Sequence, residues 1–147
     1  MTRTRVTRTF AAEHAQLASV RAFVRQRAIE SSFSPVVDDL VLATNEACAN
    51  SIAHTDSSKI AVSVAAEDAR IEIEVRDQGV FLRRAPVPEL DGEGHRGLQL
   101  IMAMMDEVTV EAGTADEPGT VVRLIKRKRV PSEARSADQA RDQSSAR

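Results

Sequence analysis

The sequence predicts an α+β fold, a two-layer sandwich whose mixed, mostly antiparallel sheet is covered on one face by three helices. Three observations lead there. The first half of the chain repeats apolar residues at steps of three and four, the period of helices packed on one side. Two adjacent runs around residues 60–64 and 71–75 alternate apolar and polar residues, which marks a hairpin with one buried face. No glycine-rich loop follows a strand at the spacing of a Rossmann or P-loop site, which disfavours the parallel-sheet nucleotide folds.

Residues 3–10 alternate Arg and Thr around Val6 and read as a short edge strand. Leu17, Val20, Val24 and Ala28 define a first helix. Ser34 and Pro35 suit the N-cap and first position of a second helix running to about His54, with Asp38 and Asp39 near its positive end. Its core stripe is Val37, Leu40, Val41, Thr44, Ala47, Cys48, Ser51 and Ile52. In the hairpin, Ile60, Val62, Val64, Ile71, Ile73 and Val75 point inward, with Glu72, Glu74 and Arg76 facing out. Residues 82–96, with Pro86, Pro88, Gly92 and Gly94, show no period and read as a functional lid or a disordered loop. A third helix is expected from about Gly97, with Leu98, Ile101, Met102 and Met105 on its core face and Met104 left for solvent or a partner. A strand around Val108 and Val110, a turn over 113–119 and a last strand over 120–126 complete the unit. Lys126 to Arg129 reads as a solvated basic exit. Almost nothing apolar follows Val130, so the expected organisation is one domain over 1–129 and a disordered tail over 130–147.

With four Phe and neither Trp nor Tyr, the core rests on aliphatic residues, and a base-stacking nucleic-acid surface is disfavoured. A net charge of −2 supplies no basic field for nucleic acid. The single cysteine, Cys48, excludes an internal disulfide and a cysteine metal cluster. No membrane-length apolar run and no signal-peptide pattern is present, so a cytoplasmic location is expected, with no direct nucleic acid and no membrane as partners.

The second helix is anomalous. Opposite its core stripe stand Leu42, Ala43, Glu46, Ala49, Asn50 and Ala53, where a surface helix carries Lys, Glu and Arg. Glu46 and Asn50 are spaced i,i+4 and lie side by side among residues small enough to admit another group close to the backbone. A carboxylate beside a carboxamide oxygen suits Mg²⁺, which usually arrives with phosphates. A Glu and an Asn on a solvated face is the simpler alternative. A second group is Asp77-Gln78-Gly79 at the end of the second hairpin strand. Asp77 can accept from an exocyclic amine such as adenine's, and Gly79 permits close backbone approach, although Asp-x-Gly there can also be only a turn. A third is the run over 92–98, Gly-Glu-Gly-His-Arg-Gly-Leu, where free amides at a helix start beside Arg96 would suit phosphate.

Taken in order, these groups resemble the ATP-binding domain of histidine kinases, gyrase B, MutL and a class of heat-shock chaperones, the GHKL superfamily with the Bergerat fold. Within it the chain resembles the stand-alone anti-sigma-factor serine/threonine kinases of bacterial partner switching, over roughly residues 10–126. The run from Asn45 through Glu46, Asn50 and His54 resembles the family's N-box helix. The resemblance implies Glu46 as catalytic base or water-positioning residue and Asn50 as Mg²⁺ ligand. It implies Asp77 and Gly79 at adenine, Gly97 and Leu98 at the phosphates beside the Arg96 already noted, and Thr120 on the adenine side. His54 matches too, and a dipole partner at the helix end explains it equally well. The cofactors implied are ATP and Mg²⁺, and the partners a sigma factor, a STAS-type anti-anti-sigma protein and a second copy in a homodimer, through the edge strand. Where the family reads Asp-x-Gly-x-Gly-Phe, this chain reads Asp77-Gln78-Gly79-Val80-Phe81, one glycine short at the lid hinge. That departure bears on γ-phosphate placement rather than on adenine. Two functions stay open: an anti-sigma factor with serine kinase activity, and a non-catalytic nucleotide-gated binding module. A detached catalytic half of a histidine kinase is disfavoured by the short lid.

Overall fold

The computed structural model describes residues 4–79, 93–112 and 118–128, with the side chains of 93–96 left undescribed. Most of the lid segment and the whole of 130–147 lie outside the described residues.

The described elements are β1 (Thr4–Ala11), α1 (Leu17–Glu30), α2 (Val37–His54), β2 (Lys59–Ala66), β3 (Arg70–Asp77), α3 (Glu93–Met104), β4 (Glu107–Ala112) and β5 (Thr120–Arg127). They form a five-stranded sheet in the order β1-β2-β3-β5-β4, antiparallel at every described pairing. With the three helices this is the two-layer α+β sandwich that the sequence predicts. β3 and β4 are not neighbours; the chain crosses between them through α3, and β5 then returns into the gap.

The hairpin forms as its alternation requires. Ile60, Val62 and Val64 of β2 and Ile71, Ile73 and Val75 of β3 are all at most 2% exposed. They join Phe10, Val20, Val24, Phe33, Leu40, Ala47, Ile101 and Leu124 in one core. The opposite face of β3 is paired rather than simply solvated. Arg5 reaches Glu72 at 2.8 Å, while Glu74 receives Arg76 at 2.9 Å and Arg123 at 3.3 Å. Burial alone would raise the Glu74 pKa, but the hydrogen bond from Arg76 and the charges of Arg76, Arg123 and Arg5 hold it below its ordinary 4.5.

Four sequence expectations shift. Ser34 does not cap α2: residues Ser34–Val36 make a 3₁₀ turn, and the helix proper starts at Val37 with no side-chain cap. α3 starts at Glu93, so Gly97 lies inside the helix and not at its start. The buried face of the helix also differs from the expected one: Ile101 and Met105 are buried and Met104 packs against the core, whereas Met102 is 61% exposed. Lys126 is not a solvated exit. It falls on the core face of β5 and is 5% exposed, its ammonium donating to the Met104 carbonyl at 2.5 Å and pairing with Asp39 at 3.3 Å. A cation at the C-terminal end of α3 and beside the N-terminal turn of α2 is favoured by the dipole of the first and the acidic residue of the second. Cys48 is buried in the core, which pushes its thiol up to about 12.

Candidate functional site

The anomalous face of α2 is covered by α3. Ala43 is fully buried, and Glu46, Ala49 and Asn50 are half-buried, while Leu42 at the rim is 38% exposed. Gly97 is buried over the Glu46–Asn50 pair: a β-carbon there would stand 3.1 Å from Glu46 Oε2 and 3.4 Å from Asn50 Oδ1. The helix therefore does have two inner faces, one toward the sheet and one toward α3. The i,i+4 spacing puts the two polar groups on the second face, and the missing side chain of Gly97 lets α3 come that close.

The second half of the site is built around the Asp77 carboxylate, which is 4% exposed at the end of β3. Its register partners are Ile60 on β2 and Thr120 on β5, so it sits in the middle of the sheet. Oδ1 accepts from the Gly79 amide at 3.1 Å and the Thr120 amide at 3.2 Å. Oδ2 accepts from the Ser51 hydroxyl at 2.5 Å. Three donors aimed at one buried carboxylate offset its desolvation and fix its plane.

Both glycines of this half are required by space or conformation. Gly79 backs onto the loop after α2, where a β-carbon would stand 2.6 Å from the Ser57 amide nitrogen. The Gln78 amide donates to Ser57 Oγ at 3.0 Å, joining the same two segments. Gly119 has φ +132°, and a β-carbon there would approach the Asp77 carbonyl at 2.8 Å. Only glycine suits both constraints.

Glu46, Asn50 and Gly97 thus form one group, and Asp77, Gly79 and Thr120 another. The adjacent residues Asn50 and Ser51 of α2 link the two. Leu98 is half-buried in α3, and the Arg96 side chain lies outside the described residues. His54 ends α2, in its last turn. Sequence reasoning placed Ser51 in the core stripe and missed its contact with Asp77. The available signal was its hydroxyl, since a polar atom on a buried stripe needs a partner. The Asp56-Ser57 backing of Gly79 left no comparable signal, because it depends on how a loop returns to the sheet.

The arrangement offers a hydrogen-bond acceptor at the sheet end and two oxygen donors beside a helix. Among the described residues no group of three His, Cys, Asp or Glu could hold a metal, and no described helix is long and apolar enough to cross a membrane. Residues 10–126 match the family described as histidine kinase-like ATPase domain. The Anti-sigma F factor of Bacillus velezensis is 29% identical over 124 residues, covering 74% of this chain and 79% of that protein. With a match across most of its length, on a fold and a set of motifs that agree, the chain belongs to the histidine kinase-like ATPase domain family.

Proposed function

We propose that this protein is an ATP-binding anti-sigma factor which phosphorylates a serine or threonine of a STAS-type anti-anti-sigma partner, and so controls a sigma factor by partner switching. The observation that carries the reading is the pairing of a buried, three-donor Asp77 with the Glu46–Asn50 face under Gly97, in a chain similar to an anti-sigma F factor. The working unit is residues 1–129, located in the cytoplasm and without direct nucleic-acid or membrane contacts. A homodimer formed along β1, which among the described strands pairs only with β2, completes the proposed assembly.

In this reading adenine donates its amino group to Asp77, with Gly79 beside the ring and Thr120 behind the carboxylate. The phosphates extend along α2 toward Asn50, Gly97 and Leu98, with Arg96 as an added cation. Asn50 would hold Mg²⁺ through its side-chain oxygen, a hard ligand of the kind that ion takes, with the Glu46 carboxylate beside it kept for the proton transfer. The ion, when bound, would supply electrostatic neutralisation of the phosphate charge. Glu46 takes the proton of the partner's hydroxyl as that oxygen bonds to Pγ. The bond from Pγ to the β,γ-bridging oxygen breaks, and ADP leaves.

Incubation with Mg-ATP and the cognate anti-anti-sigma protein tests this. One phosphoryl group per partner serine or threonine is expected, and an unmodified partner under saturating ATP rejects the kinase. The second reading, a non-catalytic nucleotide-gated module, is favoured by one observation: the run Gly79-Val80-Phe81 lacks the family's second glycine. Glu46→Gln separates the two, since a kinase loses turnover at unchanged ATP affinity while a module keeps both partner binding and nucleotide response.

A further inference from the structure

We infer that Ser51 is a positioning residue that leaves Asp77 one open acceptor position and thereby selects a 6-amino purine over a 6-oxo purine. The inference rests on the nucleotide-binding reading of the site. A carboxylate has about four lone-pair positions, two on each oxygen. Gly79 and Thr120 amides occupy both positions on Oδ1, and the Ser51 hydroxyl occupies one on Oδ2. Among the described residues nothing occupies the remaining position, on Oδ2. It accepts a donor and repels the lone pairs of a 6-oxo group.

Other hydroxyls of the same helix show that this contact is not the default. Thr44 donates to the Leu40 carbonyl at 2.7 Å, and Thr55 at the helix end donates to the Ser51 carbonyl at 2.7 Å, each four residues back. Those bonds satisfy a buried hydroxyl locally. Ser51, 7% exposed, instead spans 26 residues of sequence to reach the Asp77 carboxylate at 2.5 Å. Without that hydroxyl, Oδ2 has two open positions and the carboxylate loses the contact that holds its plane against α2. Water can then bridge it to a 6-oxo group.

Calorimetric titration of ADP and inosine 5′-diphosphate, with Mg²⁺ present, tests this on the full chain and on Ser51→Ala and Ser51→Thr. The parent chain should prefer ADP by about a hundredfold, as sites built to pair a substrate hydrogen-bonding group do. Ser51→Ala should reduce that preference to about tenfold or less, mainly by weakening ADP. Ser51→Thr, which keeps the hydroxyl, should restore most of it. If Ser51→Ala weakens both nucleotides equally, Ser51 is structural only and the inference is overturned. If the parent chain binds neither nucleotide, the binding reading itself fails, which is a different result from a lost preference.

Discussion

Replacing Gly79 with alanine probes the join between β3 and the loop after α2. The added carbon would stand 2.6 Å from the Ser57 amide nitrogen, 2.7 Å from Asp56 Oδ1 and 3.0 Å from the Asp56 amide nitrogen. A carboxylate oxygen can rotate away, but the two backbone nitrogens cannot. Restoring a contact of about 3.5 Å requires the segment to retreat by roughly an ångström. The Gly79 amide, now 3.1 Å from Asp77 Oδ1, then falls outside hydrogen-bond range, and the bond from Gln78 to Ser57 Oγ, at 3.0 Å, is strained with it. Overpacking costs about 1–3 kcal/mol and a hydrogen bond to a charged group about 1.5–3 kcal/mol. Retreat relieves the first by giving up the second, so the two do not simply add, and a net loss of about 2–4 kcal/mol follows. For a domain of this size that lowers the melting midpoint by roughly 10 °C. The chain has no Trp or Tyr, so circular dichroism at the helix band is the suitable probe. Gly97→Ala is the control. Its new carbon meets Glu46 Oε2 at 3.1 Å, the mobile end of a side chain, and alanine gains about 1 kcal/mol of helix propensity. That variant should melt within a few degrees of the parent. If the two glycine variants melt alike, the reasoning from contact distance and partner mobility is wrong.

Three further outcomes are expected. Cys48, with its thiol pushed up to about 12 by burial, should not react with a thiol reagent at pH 8 until urea unfolds the chain; rapid labelling of the native protein would contradict its place in the core. Because the folded pKa of Glu74 lies below its ordinary 4.5, its contribution to stability is present above that value and is lost as pH falls through the folded value. Glu74→Gln should therefore destabilise at neutral pH and converge on the parent in acid; a difference that widens in acid would reverse the sign of the argument. Lys126→Met keeps the stem but leaves the Met104 carbonyl without its ammonium donor, which should cost about 1–3 kcal/mol in urea unfolding. An unchanged midpoint would mean that water replaces the ammonium at no cost.

How far the sequence was legible depended on whether a feature was local. Periods of 3.6 and 2 placed α1, α2 and the hairpin, because the same apolar pattern that is visible in the chain is what the core buries. Glu46 and Asn50 stood out since the side of α2 opposite the core stripe lacks the charges of a solvated helix. The start of α3 was hidden because glycines within residues 92–98 disguise helix as connector. Met102 was placed inward because Leu98, Ile101, Met102 and Met105 also recur at steps of three and four, whereas the face that is buried runs through Gly97, Ile101 and Met104. Lys126 was misread because charge usually means solvent, whereas here the end of one helix and the start of another provide partners inside the core. Ser51 was assigned by stripe alone; its partner, Asp77, lies across the layers and has no spacing that announces it.

The place of β5 has a consequence for how the protein is made. It is the last described strand in sequence, yet it lies inside the sheet, between β3 and β4. Until it leaves the ribosome, β3 has an open inner edge, β4 has no partner in the sheet, and the Asp77 carboxylate lacks the Thr120 amide. A nascent chain stopped before Thr120 therefore holds the α2 side of the site and the β1-β2-β3 meander, but not a finished cradle around Asp77. Such fragments expose an unpaired strand edge, the feature that recruits chaperones or other chains. Closure of the sheet and completion of the cradle are thus one event, and both wait for β5.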